Sequence, residues 1–94
     1  MNLRKAARGR PCQVRIPGHC DGGGETTVLA HYSLHGLSGR GMKSPDAIGA
    51  WCCAGCHAAV DGHTKCEYPR DLLRLWLAEG VFRTQNVLMQ EGAL

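Results

Sequence analysis

The sequence predicts a small α+β domain: two short strands and a helix held by a staple, followed by C-terminal helices that supply the missing apolar mass. Three features lead there. The 94 residues make one domain, near the size at which burial alone is marginal, so 1–94 is read as a single unit. Five aromatic residues (Tyr32, Trp51, Tyr68, Trp76 and Phe82) stand against thirteen glycines, a poor basis for a core. Six cysteines offer the cross-link that such a core needs.

The elements follow in order. Residues 1–10, MNLRKAARGR, read as a basic arm, solvated over its first seven residues. In PCQVRIPGHC (11–20), Pro11, Pro17 and Gly18 punctuate a tight knuckle between Cys12 and Cys20. DGGGE (21–25) is a turn. TTVLAHY (26–32) is β-branched and apolar and predicts a strand. SLHGLSGRGMKSPD (33–46) is a loop carrying Arg40 and Lys43, and AIGAWC (47–52) is the second strand.

AGCHAAVD (54–61) predicts a helix stopped by Gly62. PRDLLRLWLAE (69–79) predicts another, with Pro69 at its first position and Asp71 in its first turn. Its stripe of Leu72, Leu73, Trp76 and Leu77 must bury against something. Gly80 is expected to end it, and Thr84 to cap a last helix, QNVLMQE, stopped by Gly92. Residues 11–63 thus form the stapled core and 69–92 the C-terminal helices.

The N-terminus is charged and lacks an apolar signal region, and no run of about 18 apolar residues spans a membrane. A cytoplasmic location is expected. In that reducing compartment cysteines so spaced bind metal rather than pair; an extracellular origin would favour disulfides instead. Cys53 and Cys56 form a C-x2-C pair at a helix head, where the helix dipole favours thiolates. Cys12 and Cys20, around Pro17-Gly18, are the natural second pair. Four thiolates suit tetrahedral Zn2+, and this order is the ligand layout of a treble-clef zinc site. Cys52 and Cys66 compete for places in the set: Cys52 points away from its neighbour in an extended chain, and Cys66 lies beyond the helix. A four-cysteine site is structural, because no position is left for a reactive water.

The histidines need a separate account. His57 and Asp61 stand at i and i+4 on one helix face, within reach of a second ion. His63 could add a third ligand or replace Asp61, and His31 on the first strand would come over the same face. A divalent ion with open positions can polarise a phosphate oxygen while a neutral histidine takes a proton from water. The formal net charge of +3 is modest. Its placement says more: Arg8, Arg10 and Arg15 near the start, with Arg40 and Lys43 in the loop, suit phosphate contacts.

LAHY (29–32), a loop and WCCAGCHAAVDGH (51–63) together resemble the HNH (ββα-metal) nuclease motif in its zinc-stapled form. Over nearly its whole length the chain further resembles the small prophage-encoded nucleases of the YbcO type, themselves similar to the nuclease domain of phage Ref. The resemblance implies His31 as general base, His57 as ligand of a catalytic ion (Mg2+, Mn2+ or Zn2+), and Cys12, Cys20, Cys53 and Cys56 as structural zinc ligands. Two positions depart from the pattern. Ala30 stands where the family carries a ligand beside the base; in the alternative register His31 is the ligand and Tyr32 occupies the base position. No Asn lies between His31 and His57, Asp46 being the nearest polar residue, and Asp61 takes the place of a last-turn histidine.

The expected function is therefore that of a metal-dependent DNA endonuclease or nicking enzyme. The alternatives are a non-catalytic zinc module that binds nucleic acid, and an accessory protein that meets recombination proteins through its C-terminal helices. A homodimer would let so short a module cut both strands.

Overall fold

The computed structural model describes residues 2–37 and 42–94; Arg40 lies outside the described residues. Among them the chain forms helix α1 (Leu3–Ala6), strand β1 (Val28–His31), a 3-10 turn (Asp46–Ile48), strand β2 (Gly49–Cys52), helix α2 (Ala54–Asp61) and helix α3 (Arg70–Gln90). This is a small α+β domain.

The first seven residues are not a solvated tail. The Asn2 side chain accepts the N–H groups of Arg4 and Lys5 at 3.1 and 3.2 Å and so caps α1. Leu3 and Ala7, one turn apart, then pack with Trp51 and Leu88, and Ala7 is fully buried. The capping side chain and this small apolar face are what turn a basic segment into structure.

The knuckle follows. Cys12 donates its N–H to Gly22 O at 3.1 Å and Gly24 donates to Arg10 O at 3.0 Å, so residues 10–12 and 22–24 run as a short antiparallel pair. Gly23 sits at φ +86 where a Cβ would fall 2.6 Å from Cys12 N, so glycine is required.

β1 and β2 pair antiparallel from Val28↔Cys52 to His31↔Gly49. The first strand is shorter than 26–32 because the threonine hydroxyls bond elsewhere. Thr27 Oγ1 donates to Arg10 O at 2.7 Å, and Thr26 Oγ1 donates to the Asp21 carboxylate. The second is shorter because Asp46–Ile48 coil into the 3-10 turn after Pro45. Every residue of β2 is buried. Trp51 donates its N–H to Thr84 Oγ1 at 3.0 Å, and its carbonyl accepts Gln13 N–H at 2.8 Å. β2 is therefore the centre of the molecule, held by β1, the knuckle and α3.

α3 is one continuous helix, which corrects the two-helix expectation. Gly80 does not end it; it lets the helix close on β2, since a Cβ there would lie 2.8 Å from Val14 Cγ2 and 3.3 Å from Ala50 Cβ. Thr84 is no cap either. It is fully buried, donating to Gly80 O at 2.8 Å while accepting from Trp51. Leu73, Leu77, Val81 and Leu88 complete the buried face, each contributing about 1.5–3 kcal/mol by leaving water. Of the predicted stripe, Leu73 and Leu77 are buried, while Leu72 and Trp76 are half-buried.

Candidate functional site

The sulfurs of Cys12, Cys20, Cys53 and Cys56 all lie within 4.8 Å of one another. None is in a disulfide. Cys12 and Cys56 are 3.7 Å apart, and Cys20 and Cys53 3.9 Å. Two thiolates on one tetrahedral zinc, each about 2.3 Å from it, stand about 3.8 Å apart. The cluster therefore fits a metal ion of this kind.

Local structure holds each sulfur. Cys53 is the N-cap of α2, its Sγ accepting Cys56 N–H at 3.4 Å and Asp21 N–H at 3.3 Å. Gly22 N–H donates to Cys20 Sγ at 3.4 Å. Arg15 turns the chain at φ 59, and Ile16 N–H then reaches Cys56 Sγ at 3.3 Å. Backbone donors aimed at sulfur favour the thiolate form. Gly55 seats α2 on the knuckle: a Cβ there would lie 1.9 Å from His19 O.

Cys52 is fully buried beside this cluster but is not one of its four members. The Cys12 thiol is held far below its ordinary range, chiefly by Cys52 and then by Cys56. Cys52 is pushed far up by Cys12, then Cys56 and burial, so it stays a neutral thiol whose S–H can serve the Cys12 thiolate.

The second set of residues is arranged more loosely. His57 Nε2 lies 3.1 Å from Asp61 Oδ2 across one turn of α2, both about two-fifths exposed. His63 follows the helix end, where its N–H donates to Ala58 O at 2.9 Å and closes the cap made by Gly62 at φ 75. Among the described residues, His31, His57, Asp61 and His63 do not form one group of ligand atoms within 4.8 Å.

His31, at the end of β1, is held by Asp46, whose Oδ1 lies 2.7 Å from its Nε2. Asp46 also takes Arg4 Nε at 3.3 Å. Its carboxyl sits below the ordinary carboxylate value because of His31 first and Arg4 second, which leaves it an ionised acceptor. His31 and Asp61 line one small hollow together with Ser33, Arg70 and Arg74. Arg74 donates to Ser33 O at 3.2 Å and lies over the Tyr32 ring at 4.8 Å; Arg70 donates to Val60 O at 2.5 Å. Each guanidinium keeps further donors.

Sequence reasoning passed over Arg70 and Arg74 and saw Asp46 only as the nearest polar residue. The signals were present. An antiparallel pair with His31 opposite Gly49 returns residue 46 past the end of β1, and 70 and 74 are one turn apart on a helix facing the sheet.

The basic residues have different surroundings. Arg8 and Lys43 are exposed, and Arg15 is exposed with its guanidinium on Gln13 Oε1 at 3.1 Å. Arg10 is committed to the fold: it makes two parallel bonds to Glu91, at 2.6 and 2.7 Å, and stacks 4.6 Å over Trp51. No helix among the described residues is long and apolar enough to cross a membrane.

Fold and site together define a small α+β protein built around a cluster of four cysteines that could hold a metal ion. Residues 1–93 match the family model described as "Putative nuclease YbcO", and the chain belongs to this family. It is 47% identical over 96 residues to "Putative nuclease YbcO" of Escherichia coli (strain K12), covering 99% of this chain and 96% of that one. "Putative nuclease ybcO" of Enterobacteria phage 82 aligns with the same identity and coverage. Among solved structures, "Structure of a putative bacteriophage protein from Escherichia coli str. K-12 substr. MG1655" superposes with a TM-score of 0.79 at 42% identity, over 97% of this chain and 100% of that one.

Proposed function

We propose that this chain is a nuclease of the HNH class that hydrolyses DNA phosphodiester bonds, with His31 as its general base. The names of its relatives support nuclease activity in general. The observation that carries the particular reading is the His31–Asp46 pair at the edge of a hollow that also holds Asp61, Arg70 and Arg74.

An ionised Asp46 accepts the proton on His31 Nε2, so Nδ1 carries the lone pair and can receive a proton from an attacking water. Arg70 and Arg74 can present their remaining N–H groups to the scissile phosphate. Arg8, Arg15, Arg40 and Lys43 would grip phosphates along the backbone, giving salt-dependent binding with little sequence selectivity. His57 and Asp61, an imidazole nitrogen and a carboxylate oxygen 3.1 Å apart, fit two positions of a divalent ion, with His63 a candidate third. Such an ion, Mg2+, Mn2+ or Zn2+, supplies charge against the leaving 3′-oxygen when bound. The four-cysteine cluster would hold structural Zn2+ and brace the knuckle against α2.

The test is nicking of supercoiled plasmid by chelator-washed protein that keeps its thiolate-bound zinc. Cleavage should need an added divalent ion and should be lost in His57→Ala. A second reading, a zinc module that binds nucleic acid without cutting it, is favoured by the failure of His31, His57, Asp61 and His63 to meet in one group among the described residues. Plasmid that is bound but left intact with every ion would establish that reading instead.

A further inference from the structure

A second group of metal-ligating side chains lies outside both sites just described. His19 belongs to the knuckle, and Cys66 and Glu67 to the linker between α2 and α3. The ligand atoms of these three residues all fall within 4.8 Å of one another. The segments are far apart in sequence and are fixed against each other by Tyr68. Its hydroxyl donates to Pro17 O at 3.1 Å, and its ring meets His19 edge-on at 6.2 Å and Trp76 at 4.8 Å. His19 is anchored in turn, its N–H on Ile16 O at 3.1 Å. The three side chains open onto a shallow hollow shared with Gly18 and Lys65.

We propose that His19, Cys66 and Glu67 bind a second zinc ion, with solvent in the fourth position, that ties the α2–α3 linker to the knuckle. An imidazole nitrogen, a thiolate and one carboxylate are a donor set for zinc or cobalt, and a poor one for magnesium or calcium. His19 Nε2 and Glu67 Oε1 are now 2.7 Å apart, a hydrogen-bond distance. Two such ligands on one tetrahedral ion stand about 3.3 Å apart. The ion therefore replaces the shared proton, and the carboxylate moves outward by about half an ångström, which its exposed position permits. Three protein ligands hold zinc less tightly than four thiolates, three of them buried, so this site loads second.

The test is titration with Co2+ and then Zn2+ of the whole protein stripped of all metal by a strong chelator, the first equivalent refolding the chain. The first equivalent goes to the four-cysteine cluster. The second should add thiolate-to-cobalt charge-transfer absorption, which His57 and Asp61 cannot give because neither carries sulfur. Cys66→Ala should remove that added absorption and leave the first equivalent intact, whereas His57→Ala should leave both. Glu67→Gln, a surface change that spares the fold, should weaken the second equivalent about tenfold or more. Titration that ends at one equivalent in the wild type, or a second equivalent without sulfur absorption, would overturn the proposal. So would an unchanged second equivalent in Cys66→Ala.

Discussion

Asp46 Oδ1 lies 2.7 Å from His31 Nε2, joining the 3-10 turn before β2 to the end of β1. Buried Ser44 helps to hold that turn by donating its hydroxyl to Tyr32 O. A carboxylate in this place fixes both the orientation and the tautomer of the imidazole. Asp46→Asn should therefore slow plasmid nicking by about 10–100-fold, against about 10²–10⁴-fold for His31→Ala. Initial rates at saturating divalent ion compare the two. Wild-type speed in Asp46→Asn would separate this pair from the chemistry.

Zinc on the four-cysteine cluster, as proposed, should govern the fold. Structural zinc contributes on the order of 10–16 kcal/mol in small domains, comparable to the about 5–15 kcal/mol of a whole domain's stability. Removing the ion with a strong chelator should unfold the chain and expose Trp51, now 1% accessible, seen as a red shift of its fluorescence. Cys53→Ser should behave like the stripped protein. Cys52→Ser should keep the zinc of the four-cysteine cluster, because Cys52 stands beside the cluster and is not a member.

At Gly55 a methyl group has nowhere to go. The atom it would meet at 1.9 Å is the backbone carbonyl of His19, which the knuckle holds in place. Gly55→Ala should lower stability by at least about 1–3 kcal/mol, despite alanine's better helix propensity, as read by denaturant unfolding in excess zinc. An unchanged midpoint would mean that α2 is not seated on the knuckle.

Acid should act partly through Glu91. Its carboxyl is held below its ordinary value of 4.5 by Arg10. A carboxyl lowered in the folded state adds stability that is fully present above the unfolded value and is lost as pH falls through the folded one. Stability from this pair is thus complete above about pH 4.5 and declines below it. Glu91→Gln should lose stability at neutral pH and show a shallower decline as pH falls below about 4.5, measured as the difference between the two unfolding curves.

Much of this architecture was legible because it rests on local rules. The helix at 54–61, its Gly62 stop and the cysteine set follow from spacing and capping, and the four sulfurs do converge. What the sequence misstated depends on contacts between distant segments. Gly80 has the form of a helix stop, but Val14 and Ala50 need the space a side chain would fill. Thr84 has the form of a cap, yet it serves the backbone of Trp51. Arg10 is charged like its neighbours but is paired with Glu91, eighty-one residues away. His19 and Cys66 carry no signal singly, and only the fold puts them side by side.

The most direct measurement is plasmid cleavage by wild type and His31→Ala, each first shown by metal analysis to keep its thiolate-bound zinc. Wild type should nick the plasmid only with an added divalent ion, and the variant should do so about 10²–10⁴-fold more slowly. Equal cleavage by both, or none by either, would contradict His31 as the base of a nuclease.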